Sequence, residues 1–150
     1  FWPARGPVWD ATGITSDGKP ILLEAKAHIP EAASPASAAS PKSMQLIQAS
    51  LEESRKYYAP KATAVWSGTF YQYANRLAHQ YYLRKLNNIP SILVFLYFIN
   101  ATEMDGPSSI LEWEGATRLL HTVLGLPKSL KKHDVYHVYI DVNEFEENKK

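Results

Sequence analysis

The feature that most constrains the fold is the unbroken apolar run Ser91-Ile92-Leu93-Val94-Phe95-Leu96-Tyr97-Phe98-Ile99. It follows the punctuation Asn87-Asn88-Ile89-Pro90 and is rich in β-branched and aromatic residues, which suit a pleated surface. A run this apolar without polar alternation reads as a strand buried on both faces, and such strands need helices packed on both sides. At nine residues it is far short of the roughly 20 needed to span a membrane as a helix. The expected class is therefore α/β, with helices on both faces of a central sheet.

The elements around this strand follow from periodicity. Residues 43–58 carry Met44, Ile47, Leu51 and Arg55 on related turns of a helix that Pro60 stops. Residues 69–86 place Phe70, Tyr73, Ala74, Leu77, Ala78 and Tyr81 at helical spacing. Beside that stripe run Gln72, Asn75, Arg76 and His79 at i, i+3, i+4 and i+7. This polar row is expected to face substrate, with Gln72, Asn75 and Arg76 as the binding residues, because amides and a guanidinium can meet phosphate. A further helix is expected over 109–124, ended by Gly125 and Pro127, and a last strand over 135–142.

At the other end of the chain, Val8 to Ile14 leads into the turn Ser16-Asp17-Gly18-Lys19-Pro20 and then Ile21-Leu22-Leu23-Glu24-Ala25-Lys26-Ala27-His28. The pattern predicts a β-hairpin. Strand alternation puts Glu24 and Lys26 on one face, with His28 at the same parity bordering them. From Pro30 to Pro41 the composition turns to Ala, Ser and Pro with the single charge Glu31, which predicts a mobile loop.

A hairpin that brings Asp10 beside Glu24 and Lys26 gathers two carboxylates and an ammonium. Two hard oxygen ligands suit Mg²⁺ or Mn²⁺, and a nearby cation can stabilise charge developing on a phosphate. Charged residues at Glu24 and Lys26 also interrupt a strand that otherwise reads as core, where ionisable groups usually have a reason.

The Asp10 … Glu24-Ala25-Lys26 pattern resembles the signature of the restriction-endonuclease-like, or PD-(D/E)XK, nucleases. In that family an aspartate is followed, after a gap, by an acidic residue, any residue and lysine on the next strand. The resemblance implies a restriction-endonuclease-like core, a mixed central sheet flanked by helices on both faces, with metal ligation by Asp10, Glu24 and the backbone carbonyl of Ala25. It also implies catalytic assistance from Lys26, with Asp10, Glu24 and Lys26 as the catalytic residues. DNA is the substrate it implies, and Mg²⁺ or Mn²⁺ the cofactor. The sequence departs from the family at Trp9, where proline is usual. It also shows no acidic residue on a helix before the hairpin, a position that many members fill. The rival expectation is a catalytically silent nuclease-like domain that binds DNA or a protein partner.

Composition closes off other classes. A chain of 150 residues, 45% hydrophobic, supports one core, so residues 1–150 are expected to form a single domain, open to being a fragment because the sequence begins at Phe1. Without cysteine there is neither a disulfide framework nor a thiolate site, which fits a cytoplasmic location. The five histidines have no short-spaced ligand pairing, and no glycine-rich phosphate loop is present. A formal charge of +1 neither demands nor excludes a polyanionic partner, and a homodimer is left open.

Overall fold

The structure, a computed structural model, describes residues 1–34 and 39–147. The hairpin forms as β1 (Ala11–Ile14) and β2 (Pro20–Lys26), antiparallel, with Gly18 at φ 84° supplying the left-handed turn position. After β2 the chain makes a short 3₁₀ turn at Ile29–Ala33. Then come α1 (Pro41–Tyr58) and α2 (Tyr71–Tyr81), the latter running into a π-helical turn at Tyr82–Leu86. β3 (Ile92–Ile99), α3 (Ile110–Leu124), β4 (Val135–Asp141) and the short α4 (Asn143–Glu147) complete the order.

The sheet order is β1-β2-β3-β4, with β2, β3 and β4 mutually parallel. The protein is thus α/β with a four-stranded mixed sheet. Local chemistry explains the helix ends. Ser40 caps α1 by accepting from the Ser43 amide at 3.3 Å, and Gly125, at φ 69°, closes α3 in the left-handed conformation.

The core lies on one face of the sheet. Leu22, Leu93, Phe95, Tyr97 and Val135 are buried there, with Ile99 and Tyr139 packed at its margin. Tyr73 of α2 stacks on Phe95 with ring centroids 4.0 Å apart, and Trp113 of α3 meets Tyr97 at 4.6 Å. Helix α1 reaches the same core through Ile47, Leu51 and Tyr58, the last bonded to Gln80 of α2 at 2.8 Å. The opposite face, which carries Leu23, Val94, Leu96 and Tyr136, contributes no residue to that core and is only half-buried.

The expectation of helices on both faces is therefore corrected: among the described residues the helices cover one. An all-apolar strand states that both faces are oily, but not that both are covered. The expected loop over 30–41 is corrected in its first part as well. Ile29–Ala33 is helical, with Ala32 packed against the core and Glu31 accepting from the Ala27 amide at 3.0 Å. Residues 35–38 of that stretch lie outside the described residues. No helix is long and apolar enough to cross a membrane, among the residues described.

Candidate metal and substrate site

The hairpin register sets the site. Ala11 pairs with Leu23, and the Asp10 amide donates to the Leu23 carbonyl at 3.2 Å, so Asp10 falls beside Glu24 on the neighbouring strand. The Asp10 carboxylate accepts the Ala25 amide on Oδ2 at 2.7 Å. Its Oδ1 has no partner among the described residues, and the residue is exposed. Glu24 is the opposite case, at 3% exposure.

Both Glu24 oxygens are engaged by cations. Lys26 Nζ donates to Oε1 at 2.7 Å, and Arg76 Nε donates to Oε2 at 2.6 Å. Strand alternation supplies Lys26 from β2 itself, whereas Arg76 descends from α2 across the sheet. Gln72, one turn before Arg76, accepts from Lys26 Nζ at 3.0 Å and so fixes the ammonium between two oxygens. Arg76 is held further by the Val8 carbonyl at 3.2 Å and by the Trp9 ring, 5.0 Å from the guanidinium carbon. Trp9, at the position where the family pattern has proline, is thus a packing partner of the arginine that neutralises Glu24.

The two carboxylates and two cations balance, which is how a buried glutamate is kept. The interior side of the cluster is tightly closed. Glu24, Lys26, Gln72, Tyr73, Phe95 and Tyr97 line a cleft with room for about 10 Å³. That is at most one water molecule. The Tyr97 phenol beneath is held above the ordinary tyrosine range, first by burial, then by Tyr139 and the Glu24 charge. A ligand therefore has to arrive from the exposed Asp10 side.

The donor set suits a hard cation. Asp10 with a free oxygen, Glu24 and the Ala25 carbonyl match the habit of Mg²⁺, which takes one or two carboxylates and leaves its remaining positions to water and phosphate. Among the described residues no group of three or more His, Cys, Asp or Glu side chains forms a metal cage. Each Glu24 oxygen already accepts from a cation, so a metal ion would have to share that oxygen with Lys26 or Arg76, or displace one of them.

The polar row expected on α2 is split by the structure. Gln72 and Arg76 join the Glu24 cluster. Asn75 does not: its amide nitrogen lies 3.3 Å from the Tyr71 hydroxyl, its Oδ1 is buried without a partner, and it lines a separate cavity with Trp2 and Arg5. His79 accepts no part in the site, since its Nδ1 bonds the Asn75 carbonyl at 2.9 Å and burial holds its imidazole down to about 4. His28 stands 3.4 Å from the Glu31 carboxylate.

Sequence reasoning missed the group on the far side of Tyr73. The Tyr73 hydroxyl lies 2.8 Å from His121 Nε2 and 3.0 Å from His137 Nε2. His137 sits in register with Phe95, which sits in register with Glu24, so one row of the sheet carries both clusters. Strand parity alone places His137 and Tyr139 on one face, but the pairing of β4 with β3 is needed to aim that face at α2. No family model, curated protein or solved structure matches the chain.

Proposed function

We propose that this chain is a divalent-metal-dependent nuclease that hydrolyses phosphodiester bonds in DNA, on a restriction-endonuclease-like core. What supports the reading is that Asp10, exposed and bonded to the Ala25 amide, lies on the chain beside Glu24, which is itself paired with Lys26 on β2. Asp10, Glu24 and the Ala25 carbonyl would hold Mg²⁺ or Mn²⁺. When bound, such an ion polarises the phosphoryl oxygen and activates water for attack.

The chain's own residues do the positioning. Lys26, anchored by Glu24 and Gln72, keeps an ammonium at the place where phosphate charge develops. Arg76 screens Glu24 until a cation or a phosphate competes for it. Asp10 reads the open side and is held in place by the Ala25 amide.

A second reading is a catalytically silent nuclease-like domain that binds DNA or a protein partner. One observation favours it: both Glu24 oxygens are already satisfied from within the fold. The test incubates plasmid and single-stranded DNA with the protein and Mg²⁺ or Mn²⁺, beside Asp10→Ala and Lys26→Ala. Cleavage is expected in the wild type, and about 100-fold less or lower in each variant. In parallel, metal is expected to raise the melting temperature by binding the folded state, and Asp10→Asn to remove most of that rise. DNA that stays intact, with a melting temperature blind to metal, supports the silent reading instead.

A further inference from the structure

Helix α3, the loop after it and β4 enclose a groove of about 450 Å³ that the Glu24 cluster does not use. Arg118, Lys128 and Glu114 stand on its lining, with His121, His137 and Tyr139. Cations outnumber carboxylates on the lining two to one, and beyond it Lys131 and Lys132 follow Lys128 in the chain, with Glu112, Glu114 and Asp134 as the acidic residues flanking this stretch. None of these four cations has an ion-pair partner among the described residues, whereas Lys26, Arg55, Arg76 and Arg84 all do.

Hydrogen-bond chemistry assigns every proton along the chain His137–Tyr73–His121. A carbonyl only accepts, so His121 Nδ1, 2.8 Å from the Pro127 oxygen, carries the hydrogen. With both rings neutral, as their burial favours, His121 Nε2 accepts from the Tyr73 hydroxyl, and the Tyr73 oxygen in turn accepts from His137 Nε2. Both imidazoles are neutral in this arrangement, and burial lowers the affinity of each for a second proton. The histidines thus add no charge, and Arg118 and Lys128 face one opposing carboxylate, Glu114. Tyr73, stacked on Phe95, walls the groove off from Glu24, two strand spacings or about 10 Å away across the sheet.

We propose that the α3–β4 groove, through Arg118 and Lys128, binds phosphates of a nucleic-acid strand as a contact separate from the Glu24 cluster. Choosing nucleic acid among polyanions rests on the nuclease reading. The physical ground for a strand is that Lys131 and Lys132, outside the groove lining, follow Lys128 by three and four residues and so lie within about 14 Å of it along the chain, a spacing that suits a repeated negative charge. An isolated phosphate or a mononucleotide would need only the two groove cations.

The test measures anisotropy of labelled single- and double-stranded oligonucleotides in EDTA, across salt from 50 to 200 mM, with a mononucleotide as competitor. The wild type is compared with Arg118→Ala/Lys128→Ala and with Lys42→Ala/Lys61→Ala, a control that removes two cations elsewhere. Removing two phosphate contacts should flatten the slope of log K against log salt by about 1.4 for single strands or about 1.8 for duplex. The control should keep its slope, and circular dichroism should show all variants folded. Strand binding that is absent in the wild type, or a slope unchanged in Arg118→Ala/Lys128→Ala, overturns the proposal. A mononucleotide that displaces the strand at equal concentration overturns the strand assignment, leaving a nucleotide pocket. Because binding is read without metal, loss of the nuclease reading shows up separately, as bound but uncut DNA in the Mg²⁺ assay.

Discussion

The Glu24 cluster and the α3–β4 groove lie in one row of the same sheet, and they treat charge in opposite ways. Glu24 is met from within: Lys26 and Arg76 take its two oxygens and donate further to Gln72 and to the Val8 carbonyl, and the interior space left holds one water at most. Around His137 the buried groups are neutral and bonded to one another, while the cations stand at the surface without partners. Burial explains the contrast. A carboxylate at 3% exposure cannot be left to solvent, so the fold must supply its counterions, whereas exposed arginine and lysine are hydrated already and stay available to a ligand.

The sharpest way to break this comparison is to remove one cation from each region. Arg76→Ala leaves a buried carboxylate with Lys26 alone and is expected to cost about 3–5 kcal/mol of folding stability. Lys128→Ala, at the surface, is expected to stay within about 0.5 kcal/mol. Urea unfolding midpoints measure both, and equal losses would mean that the Glu24 pairing is no more structural than the groove cations.

A smaller effect separates the regions by pH. Burial, and secondarily His121, holds His137 down to about 4, below the usual 6.5, and His79 is lowered to the same value by burial. Between these values the unfolded chain binds protons that the folded chain refuses. The stability contributed by the neutral rings is therefore complete above about pH 6.5 and is lost as pH falls toward 4. For one such ring the loss is on the order of 2–3 kcal/mol. Unfolding at pH 7 and pH 4.5 should show this loss, and His137→Gln should remove a share of it. An unchanged pH profile in His137→Gln would show that the ring is not buried as described.

The smallest effect sharpens the view of the hydrogen-bond chain. Tyr73→Phe keeps the stack on Phe95 but strands the His121 acceptor and the His137 donor, at a cost of about 1–2 kcal/mol. Imidazole ¹⁵N shifts of His121 and His137 should both move. If only one of them responds, the proton order deduced for the chain is wrong.

Much of this was legible without coordinates, because periodicity and punctuation are properties of short stretches. The strand Ile92–Ile99, the ends of α1 at Tyr58 and α3 at Leu124, the hairpin turn at Gly18 and the shared face of Glu24 and Lys26 follow from local alternation, capping and turn chemistry. The polar row on α2 was visible too and was expected to face substrate; the structure turns Gln72 and Arg76 to the Glu24 cluster and leaves Asn75 outside it. Spacing alone does not say which members of the stripe turn inward; the buried Glu24 carboxylate and its Lys26 partner draw in Gln72 and Arg76.

Tertiary structure alone decided three things: that Arg76 reaches Glu24 across 52 residues, that Tyr73 bridges His121 and His137, and that the described helices gather on one sheet face. Each depends on which strand pairs with which and in what register. That choice balances the burial of a whole face against the desolvation of a few charges, and a sum taken over the whole chain leaves no mark on any short segment of it.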